Sequence, residues 1–512
     1  MSDARLRGAP VFVVGAGIMG AGIAQVAAQA GHRVRLFDAR DGAALQARAR
    51  LAAQLEGLAA KGRLSAEKAA GALANVEPVS TLESARDASV VIEAIVEEAE
   101  AKRVLLRRLE QIVAPECVLA SNTSSLSITA LANGLARPGR LVGMHFFNPV
   151  PLMKLVEVVS GLHTEPAVAA AIYDLSLAWG KVPVHAKSTP GFIVNRIARP
   201  FYAETLALLL EQSASPEVLD ACLRGAGFRM GPCELMDLIG HDTNFAVTQS
   251  VYAANFYDKR YLPSTVQRDL VDAGLLGRKS GRGFYPYPEG APALPTVVHP
   301  APQAPAEVAV HGDGPIADWI ERTVGATGVR TRRIREGGWI GLQIDSARLM
   351  LTDGRCADWV ARECAIRDVA IFDRPMNVPP VSLHGTGAAG EGGNVLAYAV
   401  SAGASERWRG QAPAWVVRLG VAPQLVADSP GLVVARTIAM LINEAADAVL
   451  QGVCTVEGAN AAMKLGVNYP CGPFEWLDVW GVGGVVAVLD ALDRRYRGER
   501  YRTSPWLERE TP

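Results

Sequence analysis

The feature that most constrains the fold of this chain of 512 residues is its opening stretch, PVFVVGAGIMGAGIAQVAAQAGHRVRLFDAR, residues 10–40. Val11 to Val14 form a short apolar run, typical of a strand buried on both faces, and GxGxxG follows directly. The first glycine permits a tight turn, the second lets the backbone approach a pyrophosphate, and the third lets the helix pack on the strand. The pattern therefore predicts a dinucleotide-binding strand, turn and helix. The predicted turn residues are Gly15, Gly17, Ile18, Met19 and Gly20.

Asp38 ends the second predicted strand of this unit. A carboxylate there accepts hydrogen bonds from a ribose 2′-hydroxyl and repels a 2′-phosphate, so the sequence favours NAD over NADP, although Arg40 lies nearby. A signal peptide is the alternative interpretation, because arginines precede an apolar stretch. The five glycines between Gly15 and Gly31 disfavour it.

Composition excludes several classes of partner. A net charge of −1 gives no electrostatic basis for binding nucleic acid or an anionic membrane. The seven cysteines form no CxxC pair, which is typical of reduced thiols in the cytoplasm. No apolar run has the length that a membrane span needs, and we predict no metal site.

Polar residues follow two further predicted strands. ASVVIEAI, residues 88–95, is followed by Glu97 and Lys102, beyond the strand's carboxyl end, where ligands of parallel sheets gather. The strand at residues 117–120 continues into SNTSSLSI. In that segment Ser124 or Ser125 either caps the following helix or belongs to a site.

A histidine and a glutamate lie on consecutive predicted strands. His145 ends the strand that leads into HFFNPV, and Glu157 lies within KLVEVV. A carboxylate that holds one imidazole nitrogen fixes the tautomer and stabilises the imidazolium. The other nitrogen can then act as a general base, so we predict that His145 and Glu157 form a catalytic pair.

The motifs GAGIMG, EAIVE, SNTSSL, HFFNPVPLMKLVEVV, TPGFIVNR and GRKSGRGFYPY occur in this order over residues 8–287. In this respect the chain resembles the L-3-hydroxyacyl-CoA dehydrogenase family. The resemblance implies NAD as cofactor, acyl-CoA as substrate, His145 as base with Glu157 as its partner, and substrate contacts from Ser124 and Asn195. It also implies a homodimer as a possible assembly. The NAD contacts that it implies are Asp38, Glu97, Lys102, Ser124, Asn148 and Lys279.

The long layout resembles bacterial members of the family that act on 3-hydroxybutyryl-CoA, or on 3-hydroxyadipyl-CoA in the breakdown of aromatic acids such as phenylacetate. Two alternatives remain at this point. One is another β-hydroxyacid dehydrogenase, which would normally use a lysine base. The other is an inactive binding or structural protein with the same fold.

The second half looks like an imperfect copy of the first. Ser429-Pro430-Gly431 repeats the TPG motif of residues 189–191, but Ala435 stands where Asn195 stood. A worn glycine turn begins at Gly312, with Arg335 in the position of Asp38, so we predict no NAD there. His384 falls near the place of a second catalytic histidine, without HFFNP around it. The copy would complete a helical core or stand in for a dimer partner.

The predicted fold class is α/β. A Rossmann-type NAD-binding domain (1–187) is followed by an all-helical substrate and dimerisation domain (188–287), the first helical repeat. A linker (288–306) leads to a degenerate α/β segment (307–425). A second all-helical domain (426–512), the second helical repeat, completes the chain.

Overall fold

The computed structural model describes residues 6–295, 297, 299, 302, 305–376 and 395–510. It divides into two compact units. The first unit comprises Met1–Ile197 and Ala448–Asn468, and the second comprises Ala198–Asp447 and Tyr469–Pro512. These limits differ from the predicted domain boundaries, because a segment of the second helical repeat packs with the first unit. Among the described residues, no helix combines the length and apolarity that crossing a bilayer would require.

The first unit is built on an eight-stranded sheet with the order β3-β2-β1-β4-β5-β6-β7-β8. All neighbouring strands are parallel except β6 and β7, which are antiparallel. This order places the carboxyl ends of β1 and β4 side by side, which is the switch point where such sheets bind ligands. The strands are β1 Val11–Val14, β2 Val34–Phe37, β3 Val76–Val79, β4 Val90–Glu93, β5 Val118–Ser121, β6 Leu141–Phe146, β7 Leu155–Ser160 and β8 Val182–Lys187.

The helices of the first 197 residues cover the sheet, and β1 is buried along its whole length. Two helices, α2 and α3, follow β2. The Rossmann-type fold predicted from the glycine motif is thus confirmed. The helices are α1 Ile18–Gln29, α2 Ala43–Ala60, α3 Ala66–Ala74, α4 Ala99–Ile112, α5 Ile128–Ala132, α6 Pro166–Ala178 and α7 Val194–Ile197.

The second unit holds a seven-stranded mixed sheet with the order β10-β9-β11-β12-β13-β14-β15. The predicted α/β character of this segment is confirmed. An antiparallel hairpin, β11–β12, lies beside β9, whereas in the first sheet the parallel strand β4 lies beside β1. The strands are β9 Glu307–His311, β10 Arg330–Ile334, β11 Gly341–Ile344, β12 Ala347–Leu351, β13 Val369–Phe372, β14 Val395–Val400 and β15 Ala422–Leu425.

The remaining helices belong to the two helical repeats and to the second α/β segment; α17 and the end of α16 belong to the first unit, and the others to the second. In the first repeat Pro200 lacks an N–H and follows a break at Ala198, so two helices stand where the second repeat has the unbroken α16. The helices are α8 Arg199–Leu210, α9 Pro216–Gly225, α10 Pro232–Ile239, α11 His241–Ala254, α12 Thr265–Asp272, α13 Pro315–Ala326, α14 Ala357–Glu363, α15 Glu406–Arg418, α16 Val434–Leu450, α17 Val456–Gly466, α18 Pro473–Trp480, α19 Val482–Tyr496 and α20 Pro505–Arg509.

Within the second unit, a buried acid of each helical repeat forms an ion pair with a basic residue of the other repeat. Glu204 of the first repeat accepts hydrogen bonds from Arg436 (2.6 Å) and Arg500 (2.8 Å) of the second. Glu444 of the second repeat accepts one of 3.4 Å from Arg260 of the first. Both carboxylates are fully buried, and each takes a counter-charge from the other repeat.

Candidate active site

The three glycines of the turn after β1 differ in the space around them. A Cβ at Gly15, whose φ is +103°, would lie 2.3 Å from the carbonyl oxygen of Ala94. A Cβ at Gly20 would lie 1.8 Å from the carbonyl oxygen of Gly15, so only glycine lets α1 start there. A Cβ at Gly17 would meet no protein atom within 4 Å. The space beside Gly17 and the free N–H groups at the start of α1 fit a pyrophosphate.

Asp38 follows β2 directly and is tied to the glycine turn. Its carboxylate accepts the N–H of Ala16 (2.8 Å) and a bond from Nε of Arg40 (3.1 Å). Burial alone would raise the pKa of Asp38, but the bonds from Arg40 and Ala16 outweigh it and lower that pKa. An ionised carboxylate at this strand end fits the ribose hydroxyls of NAD.

A buried ionic cluster lies at the carboxyl end of β4. Nζ of Lys102, which is 1% exposed, lies 2.6 Å from Glu93 and 3.3 Å from Glu97. Burial raises the pKa of Glu97, but a hydrogen bond from Thr123 and the charge of Lys102 prevail, so its pKa is lowered. Glu93 also accepts a bond from Ser121 (2.6 Å) and so joins β4 to β5. A charge inside the apolar run ASVVIEAI was the sequence signal for this cluster.

Ser124 lies in the loop after β5 and does not cap a helix. Ser127 is the cap of α5, because its hydroxyl accepts the N–H of Ala130 (3.2 Å). The alternative that Ser124 or Ser125 caps this helix is therefore wrong. Both instead donate their backbone N–H to Glu97, at 2.8 and 3.0 Å.

His145 and Glu157 are direct cross-strand neighbours on β6 and β7. Nδ1 of His145 lies 2.5 Å from Oε2 of Glu157. Oε1 of Glu157 accepts the backbone N–H groups of Ile193 and Val194, both at 3.0 Å, at the start of α7. Glu157 is fully buried, so these donors replace the water that an ionised carboxylate needs.

Two aromatic rings enclose the imidazole. The Phe147 ring centroid lies 4.5 Å and the Phe192 centroid 5.9 Å from that of His145. Phe192 has a φ of +48° and follows Gly191, whose φ is +78°, in the TPGF turn. This left-handed turn costs energy for a phenylalanine, and it aims the following N–H groups at Glu157.

Asn195 and Ser124 meet in the first unit. Nδ2 of Asn195 donates to the carbonyl oxygen of Ser124 (3.2 Å). Sequence reasoning missed Asn122, whose Oδ1 accepts the N–H of Phe146 (2.9 Å) and fixes this loop beside β6. The four residues predicted for catalysis thus lie on elements that contact one another.

The two remaining predicted cofactor residues lie on exposed positions. Asn148 follows β6 and is exposed. Lys279 belongs to the second unit, where its ammonium lies 2.5 Å from Asp242.

The second sheet repeats the strand pairing around this site but not its polar side chains. Its strands β13-β14-β15 repeat the pairing of β6-β7-β8, and Ile371 faces Ala399 where His145 faces Glu157. His384 lies outside the described residues, and the strand register gives Ile371 as the counterpart of His145. Arg335 directly follows β10, as Asp38 follows β2.

The second sheet also has a carboxylate that accepts backbone N–H groups at the start of a helix. The buried Asp373 accepts the N–H groups of Val433 and Val434, at 2.9 and 2.7 Å, just as Glu157 holds the start of α7. A carboxylate thus holds the helix start in both sheets, but in the second sheet it follows β13, the counterpart of β6, and Ala399 stands in the place of Glu157.

Comparison with known families decides the assignment. The family model "3-hydroxyacyl-CoA dehydrogenase, NAD binding domain" matches residues 10–189. The model "3-hydroxyacyl-CoA dehydrogenase, C-terminal domain" matches twice, at residues 191–287 and 431–511. The chain belongs to the 3-hydroxyacyl-CoA dehydrogenase family. The double match confirms the internal repeat, and the family is one of NAD-dependent oxidoreductases, which confirms the predicted cofactor.

Relatives within the 3-hydroxyacyl-CoA dehydrogenase family match all or half of the chain. A 3-hydroxyadipyl-CoA dehydrogenase of Escherichia coli K12 is 41% identical over 96% of this chain and 95% of its own length. A probable 3-hydroxybutyryl-CoA dehydrogenase of Bacillus subtilis is 42% identical over 54% of this chain and 97% of its own. The crystal structure of a 3-hydroxybutyryl-CoA dehydrogenase from E. coli K12 superposes with a TM-score of 0.85 at 39% identity, covering 98% of both chains.

Proposed function

We propose that this enzyme oxidises the 3-hydroxyl group of a short-chain or dicarboxylic L-3-hydroxyacyl-CoA, with His145 as general base. The observation that carries the proposal is the contact of 2.5 Å between Nδ1 of His145 and Oε2 of Glu157. That contact places the Nδ1 proton toward the carboxylate and leaves Nε2 with a lone pair for the substrate hydroxyl.

The reaction divides between the cofactor and the protein. NAD held by the glycine turn and Asp38 would supply the acceptor for the hydride that leaves C3 of the substrate. Nε2 of His145 takes the proton of the 3-hydroxyl, and the negative charge of Glu157 stabilises the imidazolium that forms. The product is a 3-ketoacyl-CoA. In the reductive direction the imidazolium returns its proton to the 3-keto oxygen.

Ser124 and Asn195 orient the substrate in this proposal. The bond of 3.2 Å between Asn195 and the Ser124 carbonyl holds the two segments in one arrangement before substrate arrives. Such positioning raises the reaction rate because less entropy is lost on reaching the transition state.

For the cofactor we propose contacts from the glycine turn, Asp38, Glu97, Ser124 and Asn148. Lys102 acts through Glu97, since its ammonium is buried between two carboxylates. A role for Lys279 rests on the family resemblance alone and stays a prediction.

The names of the E. coli relatives support two substrates for this chain, 3-hydroxyadipyl-CoA and 3-hydroxybutyryl-CoA. The ratio of kcat/KM for the two compounds decides between them. Sparse cysteines, all free in the structure, support a cytoplasmic location. Homodimerisation stays a prediction that light scattering can test.

The experiment follows NADH absorbance with acetoacetyl-CoA for the native enzyme, His145→Ala and the exposed control His163→Ala. We expect His145→Ala to lose about 10²–10⁴-fold in kcat, the usual contribution of a general base, and His163→Ala to retain it. Equal rates for His145→Ala and the native enzyme would remove the base assignment. No rate with any 3-ketoacyl-CoA would favour an inactive relative.

A further inference from the structure

A segment of the second helical repeat is built into the unit that carries the catalytic pair. Residues 448–468, which end α16 and include α17, belong to the first unit together with residues 1–197. The carbonyl of Val453 accepts the N–H of Lys187 (2.9 Å) at the end of β8. Arg196 of α7 donates to the side-chain carbonyl of Gln451 (2.9 Å). These bonds fix the segment against the strand and helix that flank Glu157.

The segment leaves no room for a side chain at Gly466, the last residue of α17. A Cβ there would lie 2.7 Å from Cδ2 of Leu155, 3.0 Å from Cγ2 of Val194 and 3.6 Å from the Phe147 ring. Each of these three residues bears on the catalytic pair. Phe147 packs on the imidazole of His145, Val194 donates its N–H to Glu157, and Leu155 lies on β7, two residues before Glu157.

The same segment helps to exclude water behind the carboxylate. Cys454 precedes α17, and burial first, then the nearby charge of Glu157, raises the pKa of its thiol to about 12. Glu157, Leu155 and Val194 are at most 1% exposed. A carboxylate kept dry and fully bonded acts more strongly on its histidine than a hydrated one.

We propose that residues 448–468 are a positioning element for His145 and Glu157, and that Gly466 sets the distance at which α17 supports them. This inference rests on the proposed function of the pair. The copy that lacks a catalytic histidine thus contributes to catalysis by the other half. Gly466 is a positioning residue, because it acts through Phe147, Val194 and Leu155.

The test is a set of full-length variants: Gly466→Ala, Gly466→Val and the control Gly57→Ala. Gly57 lies inside α2, where a Cβ would meet nothing within 4 Å. An added Cβ at 466 must displace its neighbours, and misplacement by about 1 Å costs about 10²-fold in rate. We expect kcat to fall by about 10–100-fold, with a larger fall in Gly466→Val than in Gly466→Ala. The dissociation constant for NADH, measured by fluorescence, should stay within about twofold of the native value, and Gly57→Ala should match the native enzyme in both.

A rescue keeps the test decisive if Gly466→Val folds poorly. Leu155→Val removes the Cδ2 that the new Cβ would meet, so Gly466→Ala with Leu155→Val should have a higher kcat than Gly466→Ala alone. The proposal is overturned by an unchanged kcat in both Gly466 variants, by NADH binding that weakens in parallel with kcat, or by the absence of rescue. If His145→Ala loses activity while the Gly466 variants do not, the general-base assignment stands and only the positioning role fails.

Discussion

His145 faces Glu157 across the antiparallel strands β6 and β7, whereas the same register in the second sheet pairs Ile371 with Ala399. At this position the first sheet places an imidazole beside a carboxylate, and the second sheet places two apolar side chains. Because the flanking strands pair alike in both sheets, the sheets differ at this position in their side chains and not in their backbone pairing.

Glu157→Gln should abolish most activity without unfolding the protein. The amide has one acceptor oxygen, and the N–H groups of Ile193 and Val194 compete for it with His145. With that oxygen on the two backbone donors, the amide NH₂ faces Nδ1 and selects the tautomer whose Nε2 carries the proton. We expect kcat to fall about 10²–10⁴-fold, measured by NADH absorbance. The exposed Glu116→Gln serves as control, and a native kcat in Glu157→Gln would contradict the role given to the carboxylate.

Asp38→Ala should shift the cofactor preference from NAD toward NADP. The substitution removes the charge that repels a 2′-phosphate and frees Arg40, which is 75% exposed and pairs with Asp38 at 3.1 Å. We expect the ratio of kcat/KM for NADP to that for NAD to rise about 10–100-fold, equivalent to about 1.4–2.8 kcal/mol. The control is Asp41→Ala, a substitution at a nearby exposed residue, for which the ratio of kcat/KM values should equal that of the native enzyme. An unchanged ratio in Asp38→Ala would show that another group selects the cofactor.

Two glycines of the turn should respond differently to alanine. Gly17 has a φ of −70° and no protein atom near its missing Cβ, so Gly17→Ala should fold normally and bind NADH weakly, because the methyl group occupies the space for the pyrophosphate. At Gly20 a Cβ would lie 1.8 Å from a carbonyl oxygen, so Gly20→Ala should lower both stability and affinity. Thermal melting and NADH titration separate the two effects. Native NADH affinity in Gly17→Ala would remove the assigned pyrophosphate position.

Each chain should bind one NADH. In the second sheet Arg335 follows β10, and a Cβ at Gly312 would lie 2.9 Å from the carbonyl oxygen of Trp339, which leads into the inserted hairpin. An arginine thus stands where the first sheet has the carboxylate proposed to hold the ribose, and the strand beside β9 is antiparallel where that beside β1 is parallel. Isothermal titration of the full chain gives the stoichiometry. A value of two that persists in Asp38→Ala would assign a second site to this sheet.

Glu204→Gln should destabilise the protein by about 3–5 kcal/mol at pH 7, because it removes the carboxylate shared by the partly exposed Arg500 and the buried Arg436, and leaves Arg436 with the longer ionic contact to Glu211 (3.3 Å). Burial raises the pKa of Glu204, but the charges of Arg500 and Arg436 outweigh it, so the pKa of the folded carboxyl is lowered. A lowered pKa contributes stability that is present above the pKa of the unfolded chain, about 4.3, and is lost as pH falls through the folded pKa. The difference in unfolding free energy between native enzyme and variant, from urea titrations at pH 7, 5, 4 and 3, should shrink below about pH 4. A difference that does not depend on pH would contradict an ionised Glu204.

Local patterns in the sequence predicted much of the site. The roles of Gly15, Gly17 and Gly20, the position of Asp38 and the pairing of His145 with Glu157 follow from short spacings within one strand–turn–helix unit or one strand pair. These features depend on backbone geometry that the nearby residues largely determine.

Features that depend on distant packing were not predictable. The contact of Gly466 with Leu155, the inserted β11–β12 hairpin and the substitution of Ile371 for His145 link residues that no short pattern connects. Ser127 was passed over as a helix cap because five small polar residues crowd that segment, and only the position of α5 selects among them.

The crossed salt bridges of the helical repeats, Glu204 with Arg436 and Glu444 with Arg260, have an evolutionary consequence. Deleting either copy would remove a basic partner from a buried acid of the other copy. Substitutions at these acidic and basic positions are disfavoured for the same reason. The second copy can in this way be retained for its contribution to the stability of the first, whatever chemistry it has.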